Sequence, residues 1–334
     1  MGLFDYKNYQ VAKRENWCGR MDGLEREEMR WHQVVQLVDL RKDTFFTNAV
    51  VIVGFCCDIG VQRNLGRIGA KDGPSSLRKI VANLPVYFSN NIVVMDAGDI
   101  GCNGDDLEQA QFVLSEAVAK IISGGGFPIV LGGGHEVTYG HYLGIKKGIS
   151  GGSIGIINID AHLDIRTTVQ GLGNSGTGFY QIAQDSQMEG DDFQYLAIGI
   201  QDISNTRALI NYALSKDVNI IYADEVRADY LERIKIIITA FAQQVDHIYL
   251  TVDMDAFAAP YAPGVSALAY NGIIPDHVFF AIYSTIIHLP NLRTVDIAEL
   301  NPSYDIDNRT ARLGSSLIFA LLKERFFNSH DLYG

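Results

Sequence analysis

The segment Asn158-Ile159-Asp160-Ala161-His162-Leu163-Asp164 places an imidazole between two carboxylates, at alternate positions, directly after an apolar run. In an extended backbone those three side chains share one face. Carboxylate oxygen suits hard divalent cations and imidazole suits transition metals, so the mixed set favours Mn²⁺, Fe²⁺ or Zn²⁺ over Ca²⁺. Alone, the same pattern also describes a polar strand end that caps the next helix. Two further segments change the weight. Thr251-Val252-Asp253-Met254-Asp255 ends another apolar run with two carboxylates at the same spacing, and Gly132-Gly133-Gly134-His135 ends a third with one imidazole. Ligands of open parallel sheets bind beyond the carboxyl ends of the strands, so His135, Asp160, His162, Asp164, Asp253 and Asp255 are expected to converge. Four carboxylates beside a single divalent ion leave a charge of roughly −2 in a recessed site, which is costly, whereas two ions restore neutrality. A pair of ions about 3.5 to 4 Å apart can share a water and hold it as a nucleophile.

A further acid stands at the end of the last apolar run, in Asp296-Ile297-Ala298-Glu299-Leu300-Asn301-Pro302. Asn301-Pro302 stops the strand just past Glu299 and leaves that carboxylate at the same rim. A planar carboxylate there can pair through two hydrogen bonds with a planar amidinium or guanidinium.

These residues need a scaffold that aligns strand ends. Eight short apolar or β-branched runs recur between segments of helical period: Val50–Cys56, Ile92–Ala97, Pro128–Gly132, Ser153–Asp160, Tyr195–Gln201, Val218–Ala223, His247–Asp253 and Arg293–Glu299. That is the pattern of βα units around a parallel sheet covered on both faces. Leu107, Ala110, Leu114, Ala117 and Ile121 form one buried stripe of a crossover helix, and a second helix is expected to open at Pro74. No linker divides the chain, so residues 48–334 are expected to form one catalytic domain. The more polar segment 1–47, with Trp17 and Trp31, is expected to wrap its edge.

Composition excludes several classes of function. An apolar fraction of 47% with 20% charged residues is that of an ordinary globular protein. A net charge of −12 without any Lys/Arg run repels a phosphate backbone, so no nucleic-acid partner is expected. The longest apolar run, Ala49–Cys57, is broken by Gly54 and too short for a membrane span. The opening Met1–Tyr6 lacks the basic-then-apolar stretch of a signal peptide, which makes a cytoplasmic location the expectation. Cys18, Cys56, Cys57 and Cys102 show neither a zinc spacing nor a disulfide framework.

Taken in order, the Gly-Gly-x-His, Asp-Ala-His-x-Asp and Asp-x-Asp motifs and the late strand-end Glu resemble the arginase or ureohydrolase family. The likeness runs over nearly the whole chain, through Trp17–Arg20, Arg30–Gln33, Asp58–Pro74, Gly132–Gly140, Asp160–Arg166, Ser175–Thr177 and Ala262–Ser266. It implies an α/β fold: a three-layer α/β/α sandwich around an eight-stranded, mainly parallel sheet, with two Mn²⁺ ions per subunit activating a bridging hydroxide. Carried over by motif, His135, Asp160, Asp164 and Asp253 hold one ion, and Asp160, His162, Asp253 and Asp255 hold the other. Glu299 grips an amidine and Asp164 moves the proton. A small-molecule substrate and a homo-oligomer are further implications.

Within the family the likeness is to the branch that hydrolyses N-formimidoyl-L-glutamate to L-glutamate and formamide. Hydrolases of agmatine, arginine or guanidino acids are the neighbouring alternative, and an inactive metal-binding protein is the alternative of another class. Arg166, two positions after Asp164, is the candidate reader of a substrate carboxylate, with Asn174 and Ser175 as hydrogen-bonding helpers. The Ser-Gly segment lacks the nearby histidine that arginases use as a proton shuttle, and His141 lies on the wrong segment to replace it. No Lys-Ser or Lys-Thr follows Gly132-Gly133-Gly134, so these glycines are expected to give room beside the metals and not to cradle phosphate.

Overall fold

The computed structural model describes residues 7–326; Met1–Tyr6, on which the expectation of no signal peptide rests, and residues 327–334 lie outside the described residues. Ten strands form one sheet: β1 (Tyr9–Gln10), β2 (Gln36–Leu37), β3 (Ala49–Cys56), β4 (Val93–Gly101), β5 (Phe127–Leu131), β6 (Ile154–Ile159), β7 (Gln194–Ile200), β8 (Asn219–Tyr222), β9 (His247–Asp253) and β10 (Leu292–Ala298). Their order is β1-β4-β3-β5-β10-β9-β6-β7-β8, with β2 also on β4. Every pairing is parallel except that of β1 with β4. All eight expected runs are strands, and the fold is the expected α/β/α sandwich. The largest difference is at β4, which runs past Ala97 through a shift in register opposite Ile52 and Gly54. Gly98 there has φ 86°, and a Cβ would stand 2.1 Å from the Gln10 carbonyl oxygen, so only glycine lets β1 cross at that point.

Alternation along the strands builds a core on each face. Val50 and Ile52 point into one and Val51 and Val53 into the other; Leu250 and Val252 likewise oppose Tyr249. The first face is covered by the helices Gly73–Val81, Leu231–Ala242, His277–Ile287 and Arg309–Arg325, through residues such as Leu77, Ile238, Ile282 and Leu321. The second is covered by Leu107–Ser123, Val137–Gly148, Gly178–Glu189 and Arg207–Ser215, through residues such as Leu114, Ile145, Ile182 and Ala213. Leu107–Ser123 starts where the Asp106 side chain accepts the Gln109 N–H, and Gly73–Val81 carries Pro74 in its first turn. Among the described residues, no helix is long and apolar enough to cross a membrane.

The chain visits β3 to β8 before it returns to place β9 and β10 between β6 and β5. The carboxyl ends of β5, β10, β9 and β6 are therefore consecutive along the sheet, spanning only about 14 Å at the usual strand spacing. Those are the four ends that bear the residues singled out above.

A buried ion network fastens the N-terminal segment to this sheet. Arg78, 1% exposed, donates to Asp96 at 2.9 Å, to Asp99 at 2.6 Å and to the Gly98 carbonyl at 2.9 Å. The indole N–H of Trp17 donates to the other Asp96 oxygen at 2.7 Å. Removing one partner of such a network leaves the opposite charge unpaired in the interior, at a cost of about 3 to 5 kcal/mol. Arg78→Ala is therefore expected to lower the free energy of unfolding by an amount of that order, read as a lower denaturant midpoint by tryptophan fluorescence; an unchanged midpoint would show that the network contributes nothing.

Candidate metal centre and active-site pocket

The backbone leaves each strand end in a way that turns carboxylates toward one point. At the end of β6, Asp160 accepts the His162 N–H at 2.7 Å; at the end of β9, Asp253 accepts the Asp255 N–H at 2.7 Å. The Asp-x-His-x-Asp and Asp-x-Asp spacings thus operate through tight turns capped by their own first aspartate, and not through the extended backbone the alternate spacing suggests. Asp164 and Glu299 have φ of 45° and 64°, the left-handed region that side-chain-bearing residues rarely adopt. Glu299 is held there because its N–H donates to the Gly133 carbonyl at 2.8 Å while its Oε1 accepts the His135 N–H at 2.8 Å. Strain of this kind persists where the surroundings impose it, commonly at functional sites.

The Gly132–Gly134 turn serves protein contacts, which differs from the expected room beside the metals. A Cβ at Gly133 would lie 1.9 Å from the Cys57 carbonyl oxygen, and one at Gly134 would lie 2.0 Å from Glu136 Oε2. The Cys57 carbonyl in turn accepts the Gly134 N–H at 2.9 Å, so the end of β3 locks the turn that presents His135. Glu136 lies beneath, fully buried, and burial pushes its carboxyl up to about 8.

Two groups of potential ligand atoms result, each within 4.8 Å: His135, Asp160, Asp164 and Asp253 in one, and Asp160, His162 and Asp255 in the other. His135 Nδ1 lies 2.8 Å from Asp164, 3.2 Å from Asp160 and 3.3 Å from Asp253. His162 Nδ1 lies 3.2 Å from Asp255 and 3.4 Å from Asp160. Asp160 belongs to both groups, whereas Asp253, which the family pattern also assigns to the second ion, falls only in the first.

The electrostatics are those of an overfilled anionic site. Burial, reinforced by Asp255 and Asp160, drives the Asp253 carboxyl well above the ordinary carboxylate range. Burial likewise raises Asp164 and Asp255, each reinforced by Asp160. Against burial, the Asp253 charge and the bonds to Asp160 and Asp164 raise His135 well above the imidazole range, and Asp255 and Asp160 do the same to His162. Asp160 also resists burial, held below its ordinary value by both imidazoles. The cluster keeps its charge only by holding protons, which divalent cations can replace. Oxygen-rich donors with two imidazoles fit such cations, and the cluster could hold them.

The ring orientation of His135 is fixed from behind. Its Nε2 lies 2.9 Å from Thr251 Oγ1, whose single proton goes to Asp296 at 2.6 Å, so Nε2 donates and Nδ1 is left facing the carboxylates. Asp296 also receives the Tyr249 hydroxyl and lies 2.6 Å from His141 Nδ1. Sequence reasoning passed over Thr251 and Asp296, which share segments with the ligands but show no distinguishing spacing. His141 is fully buried in this network, away from the substrate side.

A pocket of about 350 Å³ opens above the cluster, lined by His135, His162, Asp164, Asp253, Asp255 and Glu299 and by Asn64, Arg67, Arg166, Ser175 and Ser266. Asp160 lies beneath these residues, fully buried. Arg166 reaches the pocket from the loop after β6 and, among the described residues, has no carboxylate within 4 Å. Ser175 lines it too, receiving the Asn64 side-chain amide at 3.0 Å. Asn174, the other expected helper, is not among the lining residues; its Oδ1 accepts the Gly176 N–H at 2.8 Å and closes the turn. Asn64, Arg67 and Ser266 went unnamed as site residues because their loops carry no periodicity or ligand spacing.

A model of the arginase family matches residues 48–323, and the chain belongs to the arginase family. More particularly, its relatives are formimidoylglutamases. That of Ralstonia nicotianae is 42% identical over 308 residues, 90% of this chain and 93% of its own. That of Clostridium tetani is 39% identical over 324 residues, 94% and 96% of the two chains. The crystal structure of Trypanosoma cruzi formiminoglutamase with Mn²⁺ superposes with a TM-score of 0.73 at 26% identity, covering 82% of this chain and 92% of that one. The formimidoylglutamase structure from Bacillus subtilis, at 22% identity and a TM-score of 0.78, shares the fold.

Because Asp160 alone belongs to both ligand groups, Asp160→Asn is expected to lose metal from both, whereas Asp255→Asn is expected to empty only the second. Elemental analysis after dialysis against metal-free buffer separates these outcomes; equal retention by the two variants contradicts the grouping.

Proposed function

We propose that this chain hydrolyses N-formimidoyl-L-glutamate to L-glutamate and formamide, using two Mn²⁺ ions per subunit, as a cytoplasmic homo-oligomer. The observation that carries the reading is one pocket that joins a potential metal-ligating cluster, a buried strand-end glutamate and an arginine without an acidic partner among the described residues, in a chain with formimidoylglutamases among its relatives. His135, Asp160, Asp164 and Asp253 are assigned to one ion and Asp160, His162 and Asp255 to the other, with Asp160 common to both. Bound there, the pair supplies a water activated near neutral pH and polarises the developing oxyanion.

The remaining work falls to side chains. Glu299 is the amidine anchor: its Oε1 is held by the His135 N–H, while its buried Oε2 has no partner. A buried carboxylate oxygen without a donor is destabilising until an amidinium supplies two N–H groups. This fixes the formimidoyl carbon over the cluster. As water adds to that carbon, its C–N bond to the glutamate nitrogen breaks. Asp164, which borders the pocket, takes a proton from the attacking water and delivers it to the departing nitrogen. Among the described residues, no histidine lines the pocket besides the ligands His135 and His162, so this proton route does not use the arginase shuttle. Arg166 receives a substrate carboxylate, which favours an acidic substrate over the cationic amine of agmatine.

The direct test is the product: the manganese-loaded protein should release formamide from N-formimidoyl-L-glutamate and little urea from agmatine or arginine. A preference for the guanidines would overturn the assignment. Glu299→Gln, which keeps shape but removes charge, should retain metal and lose a factor of order 10² in turnover; parent-like turnover would remove Glu299 from the mechanism. Arg166→Met should lower kcat/KM roughly 10- to 150-fold at matched metal content, as expected for a charge-assisted bond of about 1.5 to 3 kcal/mol. Equal slowing on agmatine would show that Arg166 does not read the carboxylate.

A further inference from the structure

Formimidoylglutamate carries two carboxylates, and Arg166 accounts for one. The structure assigns the other to Arg67: the two carboxylates are read by separate arginines on different loops of the pocket, so that Arg67 is a specificity-determining residue. This rests on the function proposed above.

Arg67 lies on the loop after the short helix Ile59–Arg63 and lines the same pocket as Glu299 and the metal ligands. Its backbone is fixed at both ends of the residue. The N–H donates to Ser266 Oγ at 3.0 Å, and the carbonyl accepts from Asn301 Nδ2 at 3.0 Å, two residues beyond Glu299. The guanidinium is equally constrained. Nε donates to the Ser266 carbonyl at 3.1 Å, one Nη donates to the Val265 carbonyl, and the Tyr304 ring lies 4.1 Å away on its face. Those carbonyls take two of the five N–H groups of the fork and neutralise none of its charge. Among the described residues no carboxylate lies within 4 Å of it. An aligned but uncompensated cation in a protein of net charge −12 is a preorganised anion receptor.

The charges of the pocket then close. Four aspartates balance two divalent ions, and Glu299 balances the amidinium. Arg67 and Arg166 remain as two positive charges, matching the two carboxylates of a formimidoylated dicarboxylic amino acid. With Arg166 alone, one substrate carboxylate would enter a recessed site without a counter-charge, at the cost such burial carries.

The test crosses two variants with two shortened substrates. N-formimidoyl-4-aminobutyrate lacks the α-carboxylate, and N-formimidoyl-L-2-aminobutyrate lacks the distal one. On the full substrate, Arg67→Ala and Arg166→Ala should each lower kcat/KM roughly 10- to 100-fold with metal content unchanged. On the shortened substrates the effects should separate. Each variant should keep its loss on one analogue and fall to within about twofold of the parent on the other, and the two variants should spare opposite analogues. Arg67→Gln can still donate to the Ser266 or Val265 carbonyl but lacks the charge, and it replaces Arg67→Ala if the alanine variant does not fold. A loss by the Arg67 variant that is equal on all three substrates shows that Arg67 only holds the Val265–Ser266 loop, and overturns the inference. So does the absence of any loss, or two variants that spare the same analogue. Failure of the parent to hydrolyse N-formimidoyl-L-glutamate overturns the underlying function instead, before any variant is compared.

Discussion

Four aspartates whose oxygens crowd into a largely buried space cannot all ionise unaided, and the rest of the molecule is organised around that repulsion. The sheet order makes the convergence unavoidable, because β9 and β10 enter last between β6 and β5 and bring four chemically loaded strand ends side by side. Without cations the cluster survives by sharing protons: His135 and His162 hold theirs far more tightly than free imidazoles, and burial with neighbouring aspartates keeps Asp253 from ionising readily. Divalent cations substitute positive charge for those protons. Metal affinity and local stability are therefore one electrostatic quantity, expressed at the strand ends.

Holding these groups in place requires support away from the chemistry. Thr251 and Asp296 set the ring of His135, and the Asp296 carboxylate is shared with Tyr249 and the buried His141. The Cys57 carbonyl fixes the glycine turn before His135, and the left-handed backbone at Glu299 is secured on Gly133. Strain and satisfied hydrogen bonds meet at the same residues. Glu299 Oε2, like Asp255 Oδ1 in the same pocket, is a buried carboxylate oxygen without a partner among the described residues.

Much of this was legible in the sequence for a definite reason. Strands covered on both faces read as uninterrupted apolar runs, so all eight were visible, and their ends marked His135, Asp160, His162, Asp164, Asp253, Asp255 and Glu299 as a set. The alternate spacing of the aspartates gave the right residues through the wrong local geometry, since capped turns and not extended strand aim them. What the sequence hid was tertiary. Arg67 is brought to the pocket by Ser266, Asn301 and Tyr304, residues 199 to 237 positions away, and no local pattern announces such a contact. Asn174 was nameable by type, whereas the closing of its own turn by Oδ1 on the Gly176 N–H was not.

The central claim is that the strand-end charge is sized for two cations and not one. Anomalous diffraction at the manganese edge, from crystals equilibrated with Mn²⁺ at neutral pH, tests it most directly. The account predicts two peaks about 3.5 to 4 Å apart, flanking Asp160, one beside His135 and the other beside His162. A single peak at saturating manganese, or two peaks that do not share Asp160, would contradict it.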